Sequence, residues 1–260
     1  MSPRGFGKNE ELQKQFKKTK KLEKNLEDKE LLQLRGIAFG NQICSDWTKQ
    51  AQKIRFRSEE SYGSSLIEAR FLMITALTDL QIFKAGTPGE TNEELGEILG
   101  LVTIFWQGQF YTEQLISQGQ YVQAAGAIKQ EIEILARIAE INEGVAKVGK
   151  TPSVKHALSG FNLHYGDMNN IAHISKPSML SSLIAIDKGS FRRVSIEPIF
   201  HEELSKHFYK IHLSIFYNSI LEAIQLFQQL YPNDMELVLP ACKLLEIVKT
   251  ILVKSGFTFD

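Results

Sequence analysis

From Leu66 to Val145 apolar residues recur every three or four positions, a spacing that only a helix can turn into a single buried face. Leu66, Ala69, Met73, Ala76 with Leu77, and Leu80 make one run, ended by Gly86 and Pro88. Leu95, Ile98 with Leu99, Val102, Phe105 with Trp106, Phe110 and Leu115 make a second, for which Gly119 is a natural left-handed stop. Ile128, Ile132, Leu135, Ile138 with Ala139, Ile141 and Val145 make a third, closed by Gly149 and Pro152. Ser58-Glu59-Glu60 reads as the start of the first helix, and Thr91-Asn92-Glu93-Glu94 as a Thr-x-x-Glu capping box opening the second. Three successive striped helices must cover one another's apolar faces, so the chain is expected to build a bundle.

The same period returns at Phe200, with Leu204, Phe208, Ile211, Ile215, Phe216, Ile220, Ala223, Phe227 and Leu230 on a wide face that ends at Tyr231-Pro232-Asn233. A last helix starts near Asp234, and Pro240 either kinks it or occupies its first turn. Between Thr151 and Ser182 the signals are shorter and predict short helices joined by turns. Leu183 to Ile186 and Phe191 to Ile196 read as two apolar strands around Asp187-Lys188-Gly189-Ser190. The fold class expected is therefore all-α, a multi-helix bundle with a small β-hairpin insertion near 183–196. Residues 1–35 are expected to form a basic N-terminal helical arm and 36–260 a single α-helical domain.

Charge narrows the range of partners. Thirty Lys and Arg balance thirty Asp and Glu, so no overall field draws nucleic acid or an acidic membrane surface, and any such contact needs a local patch. One patch is visible: the first 35 residues carry ten Lys or Arg against six acids, a net of +4. Within it Lys17, Lys18, Lys20 and Lys21 flank Thr19, beside Phe16 and Leu22, and could contact RNA or an acidic protein; a solvated tail is the plainer reading. No apolar core follows the first charges, and the charge-free stretch 98–112 is too short and too polar for a bilayer, so neither a secretory leader nor a membrane span is expected. Cys44 and Cys242 form no metal or disulfide pattern, and a cytoplasmic location is expected.

The six histidines are the natural candidates for metal ligands and acid–base groups. His201-Glu202-Glu203 is followed by His207 rather than by a histidine at zincin spacing, and no histidine has a Glu three residues before it, as di-iron bundles require. No metal or cofactor is expected. A phosphate-cradling loop of the G-x-x-x-x-G-K-[ST] kind is not expected, and neither is a serine nucleophile elbow. Lys129, Glu133 and Arg137 lie four apart on the third helix. They can form exposed i,i+4 ion pairs, or they can face the short-helix segment and meet a tyrosine or histidine there.

That segment contains Tyr165-Gly-Asp-Met-Asn-Asn-Ile-Ala-His173. It resembles the Tyr-x-x-Leu-Ser-x-x-x-His signature of a group of uncharacterised, mainly bacterial helical proteins that also carry Arg-x-x-x-Glu on a helix, matched loosely here by Lys129 and Glu133. Asn169 to His173 is similar to the Arg-Asn-x-x-x-His motif of HEPN-like domains, all-helical modules of toxins and phage-defence ribonucleases. The resemblance covers residues 100 to 230 in general pattern and under a dozen in motif.

It implies metal-independent RNA cleavage in which an arginine stabilises phosphate charge and a histidine handles a proton, often in a cleft built by two protomers. This chain has Met168 where the motif has arginine, so the cation would have to be Lys129, Arg192 or Arg193. The candidate catalytic residues are accordingly His173, Tyr165, Glu133 and Lys129. The candidate nucleic-acid contacts are Lys17, Lys18, Lys20, Lys21, Arg192 and Arg193. Two functions are expected from this: a non-enzymatic binding or regulatory helical protein linked to stress or anti-phage defence, favoured by the missing arginine, or a HEPN-like ribonuclease using His173. The partners to consider are a second copy of the chain and RNA or another protein, with no membrane. For His173 the plainer alternative is a ring that ties two short helices to a backbone carbonyl or to Glu133.

Overall fold

A computed structural model describes residues 28–83, 85–156, 161–173, 183, 185–188 and 191–257. The class is all-α. The helices are α1 (Asp28–Tyr62), α2 (Ser64–Phe83), α3 (Glu93–Ser117), α4 (Tyr121–Asn142), α5 (Phe161–Ala172), α6 (Glu202–Leu230) and α7 (Leu239–Lys254), the last preceded by a 3-10 turn at Met235–Val238. The chain divides into two units, Met1–Gln50 and Ala51–Asp260, with the division inside α1. In the first unit the described residues are helical, and Leu32, Leu34, Ile37, Phe39 and Ile43 are exposed.

The second unit contains the core. Its central helix is α6, which packs on α2, α3 and α4, while α2 also packs on α7, α3 on α4, and α4 on α5. Phe208, Tyr209, Ile211, Leu213, Ile215 and Phe216 are all buried, so α6 is covered nearly all round, as its two overlapping apolar stripes require. The stripes on α2 and α4 are buried at Leu66, Ala69, Met73, Leu80, Ile128, Ile132, Leu135 and Ile138.

Several boundaries differ from those expected. Ser58 does not begin a helix: it lies within α1, buried, and its hydroxyl donates to the Ser117 carbonyl at 2.9 Å. The break comes at Gly63, whose φ is +80°. The cap of α3 is Asn92 rather than Thr91, its side-chain oxygen accepting the Leu95 N–H at 2.8 Å. α4 stops at Asn142 instead of running on toward Gly149, because Gly144 takes up the left-handed conformation with φ +68°. Pro240 falls in the first turn of α7, where a missing N–H costs nothing. Within 183–196 two four-residue segments, β1 (Ala185–Lys188) and β2 (Phe191–Val194), pair antiparallel with Asp187 opposite Arg192. Asp187 and Lys188 therefore belong to a strand and not to the turn.

Candidate functional site

α5 is laid on α4 by three apolar side chains, Phe161, Met168 and Ile171, all buried. Spaced by seven and three, they fall on one face and leave Tyr165 half-buried at its edge. The helix ends at Ala172, and the His173 N–H still donates to the Asn169 carbonyl at 3.0 Å, so the His173 ring leaves from the last turn and is exposed. Tyr165 meets the later residue of the α4 ridge and His173 the earlier one, which is the pattern of two antiparallel helices.

These contacts form one chain of groups. The Tyr165 hydroxyl donates to Glu133 Oε1 at 2.8 Å. The same oxygen is 3.6 Å from Lys129 Nζ, and that nitrogen is 3.4 Å from His173 Nε2. Lys129 Nζ also stands 5.8 Å from the centre of the Tyr165 ring, within cation–π range. An ammonium can only donate, so His173 Nε2 is the acceptor, and the ring matching this geometry is neutral with its proton on Nδ1. Burial first, then the hydrogen bond to the Glu133 carboxylate and its charge, push the Tyr165 phenol up to about 12. The phenol stays protonated and holds Glu133, which in turn restrains Lys129. Lys129 and Glu133 side chains each keep 21% exposure, so the cluster is ordered and still reachable from solvent.

The structure thus brings together Lys129, Glu133, Tyr165 and His173. It does not bring an arginine to the motif position: Met168 is 1% exposed and serves the α4–α5 core, where a guanidinium would be buried without a partner. Lys17, Lys18, Lys20 and Lys21 lie outside the described residues. Arg192 and Arg193 are on β2, and their side chains are outside the described part.

Two features were missed in the sequence. The first is a buried pair: His212 Nδ1 lies 3.0 Å from Glu131 Oε2, linking α6 to α4, with the His212 side chain 1% exposed. Burial lowers the His212 pKa most strongly, but the charge and hydrogen bond of Glu131, with help from Glu113, outweigh that and hold it above its ordinary value. The Gln109 side-chain amide and the Tyr209 hydroxyl, also buried, have no hydrogen-bond partner among the described residues. No spacing rule could have found this pair, because its members are 81 residues apart.

The second is a letter pattern, and it corrects an expectation. Gly144-Val-Ala-Lys147-Val-Gly149-Lys150-Thr151 has the G-x-x-x-x-G-K-T spacing. The fold gives it a different context from a phosphate loop. It follows helix α4 instead of a strand and opens no helix. Three of the N–H groups that would cradle phosphate are engaged, Gly144 to Ile141 O, Val145 to Glu140 O and Ala146 to Glu140 O, at 2.9, 2.9 and 3.1 Å.

Comparison with family models, curated proteins and solved structures finds no match. Among the described residues no three His, Cys, Asp or Glu side chains are grouped to hold a metal ion, and no helix is long and apolar enough to cross a membrane.

Proposed function

We propose that the Lys129–Glu133–Tyr165–His173 cluster is a phosphate-directed acid–base site and that the protein is a HEPN-like, metal-independent ribonuclease. The observation that carries this reading is the 3.4 Å separation of Lys129 Nζ from His173 Nε2 at an exposed helix end. It supplies from α4 the cation that Met168 cannot supply from α5. A phosphodiester drawn to Lys129 competes with His173 for the ammonium and frees Nε2. That nitrogen then takes the proton of the ribose 2′-hydroxyl, the 2′-oxygen bonds to phosphorus, and the bond from phosphorus to the 5′-oxygen breaks, the leaving oxygen taking a proton from water. Lys129 stabilises the charge that builds on the non-bridging oxygens. Glu133 and Tyr165 are positioning residues.

A second reading has its own observation. The arginine position is a core position here, which favours a binding or regulatory module, with RNA or a second copy of the chain as partner and a role in stress or anti-phage defence. One experiment separates the two. The purified protein is incubated with single-stranded and structured RNA in EDTA, beside His173→Ala and Lys129→Ala. The ribonuclease reading expects cleavage that falls about 10²–10⁴-fold in His173→Ala, the range of a lost general base. Binding without cleavage in the parent protein overturns it in favour of the module.

A further inference from the structure

The end of α4 carries a second arrangement that the proposed ribonuclease site does not use. Past Gly144 the chain loops as far as His156 and is tied back to the helix by Arg137, whose guanidinium donates to the carbonyl of Lys147 at 3.4 Å and to that of Lys150. Arg137 also pairs with Glu140 at 2.9 Å, and the other Glu140 oxygen accepts the Ser153 N–H at 2.7 Å. Glu143 is held by His156 Nδ1 at 2.6 Å. Both carboxylates at this end of the helix are therefore taken.

The lysines are not. Between the loop and the helix end lies a cavity of about 570 Å³, lined by Glu140, Lys147, Lys150, Thr151, Ser153 and His156. That volume is within the ~300–1,000 Å³ range of small-molecule sites. Lys150 N–H closes a turn onto the Lys147 carbonyl at 3.3 Å, with Gly149 at its third position and φ +71°. A turn of this kind needs glycine there and brings its first and fourth Cα atoms within about 7 Å. Lys147 and Lys150 thus rise from the two ends of one turn, where they can meet on a single anion. Among the described residues neither ammonium has an ion-pair or hydrogen-bond partner, and neither do the Thr151 and Ser153 hydroxyls. Val145 and Ala146, also in the lining, offer apolar surface to an organic portion.

We propose that this cavity binds a small phosphate-bearing molecule, with the phosphate oxygens taken by the Lys147 and Lys150 ammonium groups and the Thr151 hydroxyl. Recognition is assigned to these side chains, because the N–H groups of Gly144, Val145 and Ala146 already close the helix. Two unpaired positive charges match a phosphate dianion, and hydroxyl donors complete its shell. The site stands independently of the His173 cluster.

The test is calorimetric titration of the full chain with inorganic phosphate, pyrophosphate and ATP, with sulfate at matched ionic strength as control. Pyrophosphate or ATP is expected to bind with a Kd below about 1 mM. Binding should weaken by about tenfold or more in Lys147→Gln/Lys150→Gln, the loss of charge-assisted hydrogen bonds, and a Lys129→Ala/His173→Ala background, which removes any phosphate contact at the other site, should keep the binding that the double lysine substitution removes. Both lysines are exposed, so thermal melting should confirm that the double variant keeps its fold. The proposal is overturned if none of the three probes binds, if sulfate binds equally well, if the double lysine variant binds as tightly as the parent, or if the His173-site variant loses binding. It is likewise overturned if a short RNA, and none of the three small probes, is released by the double lysine substitution.

Discussion

Two histidine pairs share helix α4, and they sit on opposite sides of it. Lys129 and Glu131 are two residues apart, which on a helix is about 200° of rotation. Lys129 reaches His173 at the exposed end of α5, whereas Glu131 reaches His212 in the interior of α6. The distances are similar, 3.4 and 3.0 Å, and the surroundings are not. His212 is sealed, and among the described residues its ring has Glu131 as hydrogen-bond partner on Nδ1 and none on Nε2. His173 can exchange its partner for a substrate without opening the core. The same side-chain chemistry is thus structural on one face and available for reaction on the other, and burial decides which.

The strongest way to break this contrast is to remove the interior partner. Glu131→Ala leaves the His212 ring buried without its acceptor and should cost about 3–5 kcal/mol, the range for removing one half of a buried pair. The denaturant midpoint should drop with little change in slope. Replacing both residues with apolar ones of similar size, Glu131→Met with His212→Leu, should recover most of that loss. A drop below about 1 kcal/mol in the single variant would show that the pair is not the structural element described.

The pH dependence sharpens the same point. The folded His212 pKa is raised above its unfolded value of about 6.5, so the protonated ring adds stability that is fully present below about pH 6.5. That contribution disappears as pH rises through the raised folded value. Urea midpoints of the parent and Glu131→Gln, compared from pH 5.5 to pH 9 in steps of about half a unit, should therefore differ most at the acid end and converge toward the alkaline end. Divergence in the other direction would mean that His212 is held neutral.

On the open face the effects should be smaller. Tyr165→Phe removes the 2.8 Å hydrogen bond to Glu133 and keeps the ring under Lys129. Stability should change by about 1 kcal/mol or less. RNA cleavage should fall several-fold without being lost, since Glu133 still holds Lys129, and spectrophotometric titration of the variant should lack the phenolate step near 12 that the parent has. Loss of cleavage as complete as in His173→Ala would move Tyr165 from positioning to the chemistry itself.

How far the sequence announced all this depends on which interactions are local. The stripes of α2, α4 and α6 were readable because Leu66, Ile128, Phe208 and their neighbours repeat at the helical period. The second half of α1 was not, because its buried positions are Ala51, Ile54, Ser58 and Tyr62, and a stripe that includes serine reads as polar. Ser58 also imitates a helix start, and only the tertiary bond to Ser117 shows that it is interior. The Lys129–Glu133 ridge and the short helix bearing Tyr165 and His173 were visible, since each is set by spacing within one helix. That the two meet follows from α5 packing on α4. The Glu131–His212 pair left no local trace, and the Gly144–Thr151 letters were overlooked, although they sit in a context that has neither the strand before nor the helix directly after that a phosphate loop needs.

The smallest expected effect is the one that decides between the two readings of His173. If the ring is a pin that ties α5 to the rest of the bundle, its removal should destabilise the fold. The geometry argues otherwise. The ring is exposed, and its side-chain hydrogen bond to Lys129 is long at 3.4 Å. The packing of α5 rests instead on Phe161, Met168 and Ile171. His173→Ala should therefore shift stability by no more than about 0.5 kcal/mol, the usual range for a surface substitution, while Met168→Ala should cost about 2–5 kcal/mol as a core deletion. Measured by denaturant unfolding beside the RNA assay, a near-zero change in stability with a large loss of cleavage places His173 in the chemistry. A loss above about 1 kcal/mol would make it a fastening of the fold and leave the open face of α4 without its reacting group.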